Sequence, residues 1–141
     1  MQIDTAITSS AAETEAFAAD VAARLVPGDL VLLSGDLGSG KTTFVRGACR
    51  RLGVTTPVTS PSYVIGNLYE GEVEVAHLDL YRLTDLELSD EASLDDFLTP
   101  QRIAFVEWPH GKLTADRAPR AIVQLEHQSE DTRRLEVQWQ H

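Results

Sequence analysis

The chain has 141 residues, one domain's worth, expected to run from 1 to 141, and its 43% hydrophobic share is that of an ordinary packed core. Twenty-two acidic against twelve basic residues leave a formal net charge of −10, which argues against a nucleic acid held by bulk charge. The single cysteine, Cys49, makes neither an internal disulfide nor a zinc site, and the polar start at Met1-Gln2-Ile3-Asp4 and the lack of any apolar run of about 18 residues set the expectation of a cytoplasmic protein with no membrane partner.

Gln2–Thr8 alternates as a short strand does. Ser10 with Glu13 three residues on forms a capping box, and predicts a helix to about Val26 with Phe17, Val21 and Leu25 along one face. Pro27-Gly28-Asp29 stops it. Leu30-Val31-Leu32-Leu33 is a continuous apolar run, the pattern of a strand buried on both faces of a parallel sheet. A glycine-rich turn follows, then a predicted helix over 42–52 closed by Gly53. Residues 54–62 read as a loop. Residues 63–69 and 72–80 predict an antiparallel hairpin turning at Glu70-Gly71. Residues 84–98 predict an acidic helix, and Arg102–Glu107 a second buried strand. A loop over 108–119 precedes a last strand pair, Ala121–His127 and Arg133–Trp139. The charge is uneven: ten acids and one base between Glu70 and Asp96 supply −9 of the −10.

The sharpest motif is Gly35-Asp36-Leu37-Gly38-Ser39-Gly40-Lys41-Thr42, which fits G-x-x-x-x-G-K-[ST] with a buried strand before it and a helix after it. Glycines let the backbone turn its N–H groups onto phosphate oxygens, and the helix N-terminus adds positive potential. Asp36 to Gly40 would cradle the phosphates, Lys41 would reach the β- and γ-phosphates, Thr42 would ligate magnesium, and Thr43 would contact the α-phosphate. The fold class this implies is α/β: a three-layer P-loop NTPase-like fold with a mixed, mostly parallel central sheet plus antiparallel hairpins.

The only asparagine, Asn67, is not in an N-K-x-D box, so ATP is expected over GTP. A magnesium site needs an acid at the end of a second buried strand, and Glu107 has that place; the alternative is a surface acid at a strand end. Asp79 is a second metal or catalytic candidate. In a strand, His77, Asp79 and Tyr81 share one face, which is either a polar site or the wet side of an amphipathic strand. Ser60, Pro61, Ser62 and Tyr63 follow the P-loop helix, where segments that sense the γ-phosphate sit in P-loop proteins. Trp108 either lies beside the nucleotide or caps its strand. A P-loop kinase for a small metabolite and a non-hydrolytic nucleotide sensor are the competing functional classes.

Taken together, residues 35–44, Thr59-Ser60-Pro61-Ser62-Tyr63, His77-Leu78-Asp79-Leu80-Tyr81-Arg82-Leu83 and Val106-Glu107-Trp108-Pro109 resemble, in order and spacing, the TsaE (YjeE) family of tRNA threonylcarbamoyladenosine biosynthesis ATPases. The resemblance covers roughly residues 10 to 125. It implies a small cytoplasmic protein that binds ATP or ADP with magnesium and hydrolyses ATP slowly alone. It implies TsaB and TsaD as partners, with tRNA reached only through their complex, which its ATP cycle resets between turnovers. By motif it implies Lys41 on phosphate, Thr42 and Glu107 on magnesium, Asp79 near the γ-phosphate, Ser60 to Tyr63 as a switch and Thr14 on the adenine side.

Overall fold

The computed structural model describes residues 2–35, 40–58, 66–79, 97–107 and 118–140. These contain strand β1 (Gln2–Thr8), helix α1 (Ala11–Ala22), β2 (Leu30–Gly35), helix α2 (Lys41–Arg51), β3 (Gly66–Tyr69), β4 (Glu74–Asp79), β5 (Arg102–Glu107), β6 (Ala121–His127) and β7 (Arg133–Trp139). The predicted acidic helix over 84–98 lies outside them, apart from Phe97 and Leu98.

All seven strands join one sheet in the order β1-β7-β6-β2-β5-β4-β3. The middle is parallel, with β2 beside β5 and β6, and β4 beside β5. The flanks are antiparallel, through β1 with β7, β6 with β7 and β3 with β4. The α/β class with a mixed sheet is therefore as expected, and the parallel pairing is concentrated at the centre. The hairpin also forms as expected, as Gly66–Tyr69 against Glu74–Asp79; β4 begins at Glu74 instead of position 72, and positions 63–65 and 80 lie outside the described residues.

Local chemistry explains the helix ends. The Ser10 hydroxyl accepts from the Glu13 N–H at 3.1 Å, and the Glu13 carboxylate accepts from the Ser9 N–H at 2.8 Å. α1 ends at Ala22, short of the expected Val26. Arg24 N–H and Leu25 N–H donate to the carbonyls of Val21 and Ala22, three residues back, so the chain tightens out of the α-helix there. Val21 and Leu25 are buried all the same, and Phe17 is half-buried against them.

The two faces of the sheet carry separate apolar clusters. Val31, Leu33, Phe44, Phe105, Val123 and Trp139 pack with α1 and α2 on one side. Leu32, Ala76, Leu78, Ala104 and Val106 pack with Phe97 and Leu98 on the other. β2, β4 and β5 are thus buried on both faces, as apolar runs in a parallel sheet require. α2 lies close on α1 because Gly47 has no side chain: a Cβ there would press into the Glu15 backbone. This packing holds the first turn of α2 at the carboxyl ends of β2, β4 and β5, the edge where open α/β sheets bind ligands.

Candidate functional site

β2 delivers Gly35 to that edge, and α2 begins six residues later, behind Gly40. Gly40 has φ +107°, a left-handed conformation that favours glycine, and its place as N-cap brings no side-chain cap to the helix. Lys41 Nζ donates to the Gly35 carbonyl at 2.6 Å, bridging the two ends of the glycine-rich loop. Asp36, Leu37, Gly38 and Ser39, between those ends, lie outside the described residues. Thr42 and Thr43 follow in the first turn of α2, both half-buried.

The two predicted carboxylates come together. Asp79 closes β4 and Glu107 closes β5, and they are direct partners in the parallel ladder, with Leu33 of β2 on the other side of Glu107. Partnered residues on neighbouring strands sit about 4.8 Å apart with side chains on the same face. Asp79 is 8% exposed and Glu107 3% exposed, so neither is a solvated strand-end acid. Two buried acids on neighbouring strand ends set a pair of oxygen donors at this edge.

His77 completes the group; the sequence set it on the face of Asp79, as part of either a polar site or a wet face, and gave it no role of its own. Its ring is fully buried, and Nε2 lies 2.6 Å from Glu107 Oε2. Where Glu107 is a carboxylate, which only accepts, the proton of this bond belongs to Nε2. His77 Nδ1 is buried with no hydrogen-bond partner among the described residues. The wet-face reading of β4 therefore fails at both His77 and Asp79. The signal was present: His77 stands two residues before Asp79, on the same face of the strand. What was missing was the neighbouring strand, which only the fold supplies.

Thr14, expected on the adenine side, stands beside the start of α2. It lines a cavity of about 220 Å³ with Ser10, Gly40, Thr43, Asp131 and Arg133. Its hydroxyl is buried and paired with the Thr8 hydroxyl at 2.7 Å. Asp131 comes from the β6–β7 turn and Arg133 from the start of β7, and nothing in their local sequence marked them. Ser60, Pro61, Ser62, Tyr63 and Trp108 lie outside the described residues, as do Leu80 and Tyr81 of the Asp79 motif.

Among the described residues, no set of three His, Cys, Asp or Glu side chains forms a metal cage. The two carboxylates that close β4 and β5 are hard oxygen donors of the kind that magnesium takes together with phosphate and water. No described helix is long and apolar enough to cross a membrane.

The chain matches the family model "Threonylcarbamoyl adenosine biosynthesis protein TsaE" over residues 8–136. A Bacillus subtilis (strain 168) protein named tRNA threonylcarbamoyladenosine biosynthesis protein TsaE is 40% identical over 114 residues, 80% of this chain and 70% of its own length. A Treponema pallidum (strain Nichols) protein of the same name is 30% identical over 119 residues, 84% of this chain and 87% of its own length. The crystal structure of YdiB from Bacillus subtilis matches with a TM-score of 0.76 at 30% identity, over 96% of this chain and 84% of that one. The strand–loop–helix around Lys41, the paired acids ending β4 and β5, and a match over nearly the whole length agree: this chain belongs to the TsaE family.

Proposed function

We propose that the protein is a magnesium-dependent ATPase that serves the formation of threonylcarbamoyladenosine on tRNA, acting with TsaB and TsaD homologues and touching tRNA only through them. The observation that supports the ATPase reading is the pairing of Asp79 with Glu107 at the carboxyl ends of β4 and β5, the same edge of the parallel strands at which Lys41 bonds to Gly35 of β2. The pathway reading rests on the names of the relatives.

In this reading the open N-terminus of α2 and the Lys41 ammonium bind the phosphates. Thr42 and Glu107 would hold magnesium, which would supply positive charge to the phosphates. Asp79 lies next to Glu107 and orients the attacking water at the γ-phosphate. Burial of both acids excludes bulk water and strengthens every charge interaction at this edge. Thr14 and the cavity beside Thr43 take the base side of the nucleotide. Hydrolysis is slow until the partner complex completes the site, and the cycle resets that complex.

The test is nucleotide binding by calorimetry and phosphate release, with and without the partner proteins. Lys41→Ala is expected to remove ATP binding. Partners are expected to raise the rate, with phosphate passing to water. Parent-like turnover in Lys41→Ala would remove the P-loop assignment. Phosphate found on an added small metabolite instead of in water would favour a kinase.

A further inference from the structure

We infer that His77 is the positioning residue of Glu107: it holds one carboxylate oxygen of that acid and so leaves the other to meet the metal. The inference rests on the magnesium-ATP reading above and goes beyond it, since no role falls to His77 there.

Three observations lead to it. His77 Nε2 is 2.6 Å from Glu107 Oε2, and both side chains are removed from water. Only one acceptor faces the ring among the described residues, and Nδ1 is left without a partner. This arrangement suits the neutral Nε2–H tautomer, whose bare Nδ1 lone pair tolerates burial better than an unpaired N–H would. Glu107 closes β5 as the ladder partner of Asp79, and His77 stands two residues earlier on β4, beside Phe105.

A packing role alone does not account for it. A buried polar pair costs desolvation, and an apolar side chain of similar volume at position 77 would serve the core as well or better. What the imidazole adds is orientation. A carboxylate with one oxygen bound to His77 presents its other oxygen, Oε1, in a fixed direction. It is thereby a monodentate donor, which is what a small octahedral cation with several retained waters accepts. A lysine or arginine at this place would orient Glu107 too, but its charge would cancel the acid and oppose a cation. A histidine donating from a neutral ring orients the acid and leaves its charge intact. The Tyr69 ring neighbours the imidazole, centred 6.3 Å from it and tilted by 35°.

The experiment uses the full chain with manganese as a spectroscopic stand-in for magnesium and a non-hydrolysable ATP analogue. Metal affinity is read by electron paramagnetic resonance, and nucleotide affinity by calorimetry in the presence of a chelator. Three variants separate orientation from packing. His77→Phe keeps the bulk and loses the donor. His77→Gln places an amide N–H near the position of Nε2. His77→Asn keeps a polar group that falls short of Glu107.

We expect His77→Phe and His77→Asn to weaken metal binding by about tenfold to a hundredfold, the usual effect of losing a partner that orients a ligand. Metal-free nucleotide binding should stay at the parent level. At saturating metal, kcat should fall while KM for ATP holds. His77→Gln should recover most of both losses. Parent-like metal binding and kcat in His77→Asn would overturn the inference, as would equal losses in His77→Gln and His77→Asn. If His77→Phe does not fold, as judged by a cooperative melt, the Gln and Asn pair decides. A parent protein that binds no metal–nucleotide complex would overturn the ATPase reading and this inference with it. A parent that binds normally beside unaffected variants would overturn this inference alone.

Discussion

Glu107 and Asp79 share one pair of strands but differ in surroundings, and their variants should differ too. Glu107 has a tethered oxygen and the deeper burial, 3% against 8% exposure. Glu107→Gln is expected to lower the hydrolysis rate by about a hundredfold or more, with metal dependence shifted, as removal of an acid at the reacting centre does. Asp79→Asn should lower the rate while leaving metal affinity nearer the parent. Metal titrations of hydrolysis in the two variants check this, and identical profiles would contradict it. Cys49 sits in the same helix as Lys41 but points into the core between α2 and the sheet. Burial pushes its thiol up from 9.0 to about 12. The thiolate is the reactive form, so a disulfide reagent at pH 8 should modify the protein only after denaturant is added. The same shift has a pH consequence. Below 9.0 both folded and unfolded chains keep the proton, whereas between 9.0 and about 12 the unfolded chain alone releases it. Cys49 therefore draws the equilibrium toward unfolding as pH rises through that window, and Cys49→Ala should make stability fall less steeply there in urea titrations.

At the scale of elements, α1 and α2 lie against each other as neighbours on one face of the sheet, and Gly47 sets their separation. A methyl group at position 47 would meet backbone and not a flexible side-chain end, so α1 cannot yield cheaply. Gly47→Ala is expected to cost about 1–3 kcal/mol by overpacking, although alanine is the better helix former in isolation. Thermal melts would show this as a lowered midpoint, and a raised midpoint would show that the two helices can move apart. Because α1 also carries Thr14, which lines the cavity beside Thr43, the same variant should weaken nucleotide binding. The Arg50–Glu15 ion pair at 2.8 Å adds a second link between the helices. Arg50 is largely exposed, so the pair contributes little by itself.

Across the whole molecule, the chain's two ends meet. β7, the last strand, inserts between β1 and β6. Trp139, 1% exposed, anchors this closure: its indole N–H donates to Asp4 Oδ2 at 2.9 Å, and the guanidinium groups of Arg24 and Arg120 lie 3.9 Å and 4.9 Å from its ring centre. Trp139→Ala is expected to destabilise the fold by about 3–5 kcal/mol, through the lost core volume and the freed Asp4 carboxylate. Urea unfolding measures this, and a loss below about 1 kcal/mol would mean that β1 and β7 stay paired without the indole. The charge distribution belongs to this scale too. Glu74 pairs with Arg102 across β4 and β5, so part of the acidic stretch is balanced by a base of the neighbouring strand. The acids at positions 85–96 lie outside the described residues.

Much of this was legible in the chain alone, for a local reason. A capping box, a continuous apolar run and a glycine-lysine-threonine turn each act over a few residues, so β1, β2, β5, β6, β7 and both helix starts could be read directly. Glu107 and Asp79 could be proposed because each follows an apolar strand, and the order of the motifs pointed to the TsaE family. Pairing between distant strands is different, because register depends on the packing of two faces at once. The sequence could not say that Glu107 stands beside Asp79, that His77 reaches Glu107 across the ladder, or that Asp131 and Arg133 come round to Thr14. Those contacts join residues about 30 to 120 positions apart, and they exist only because the parallel strands bring their carboxyl ends to one edge.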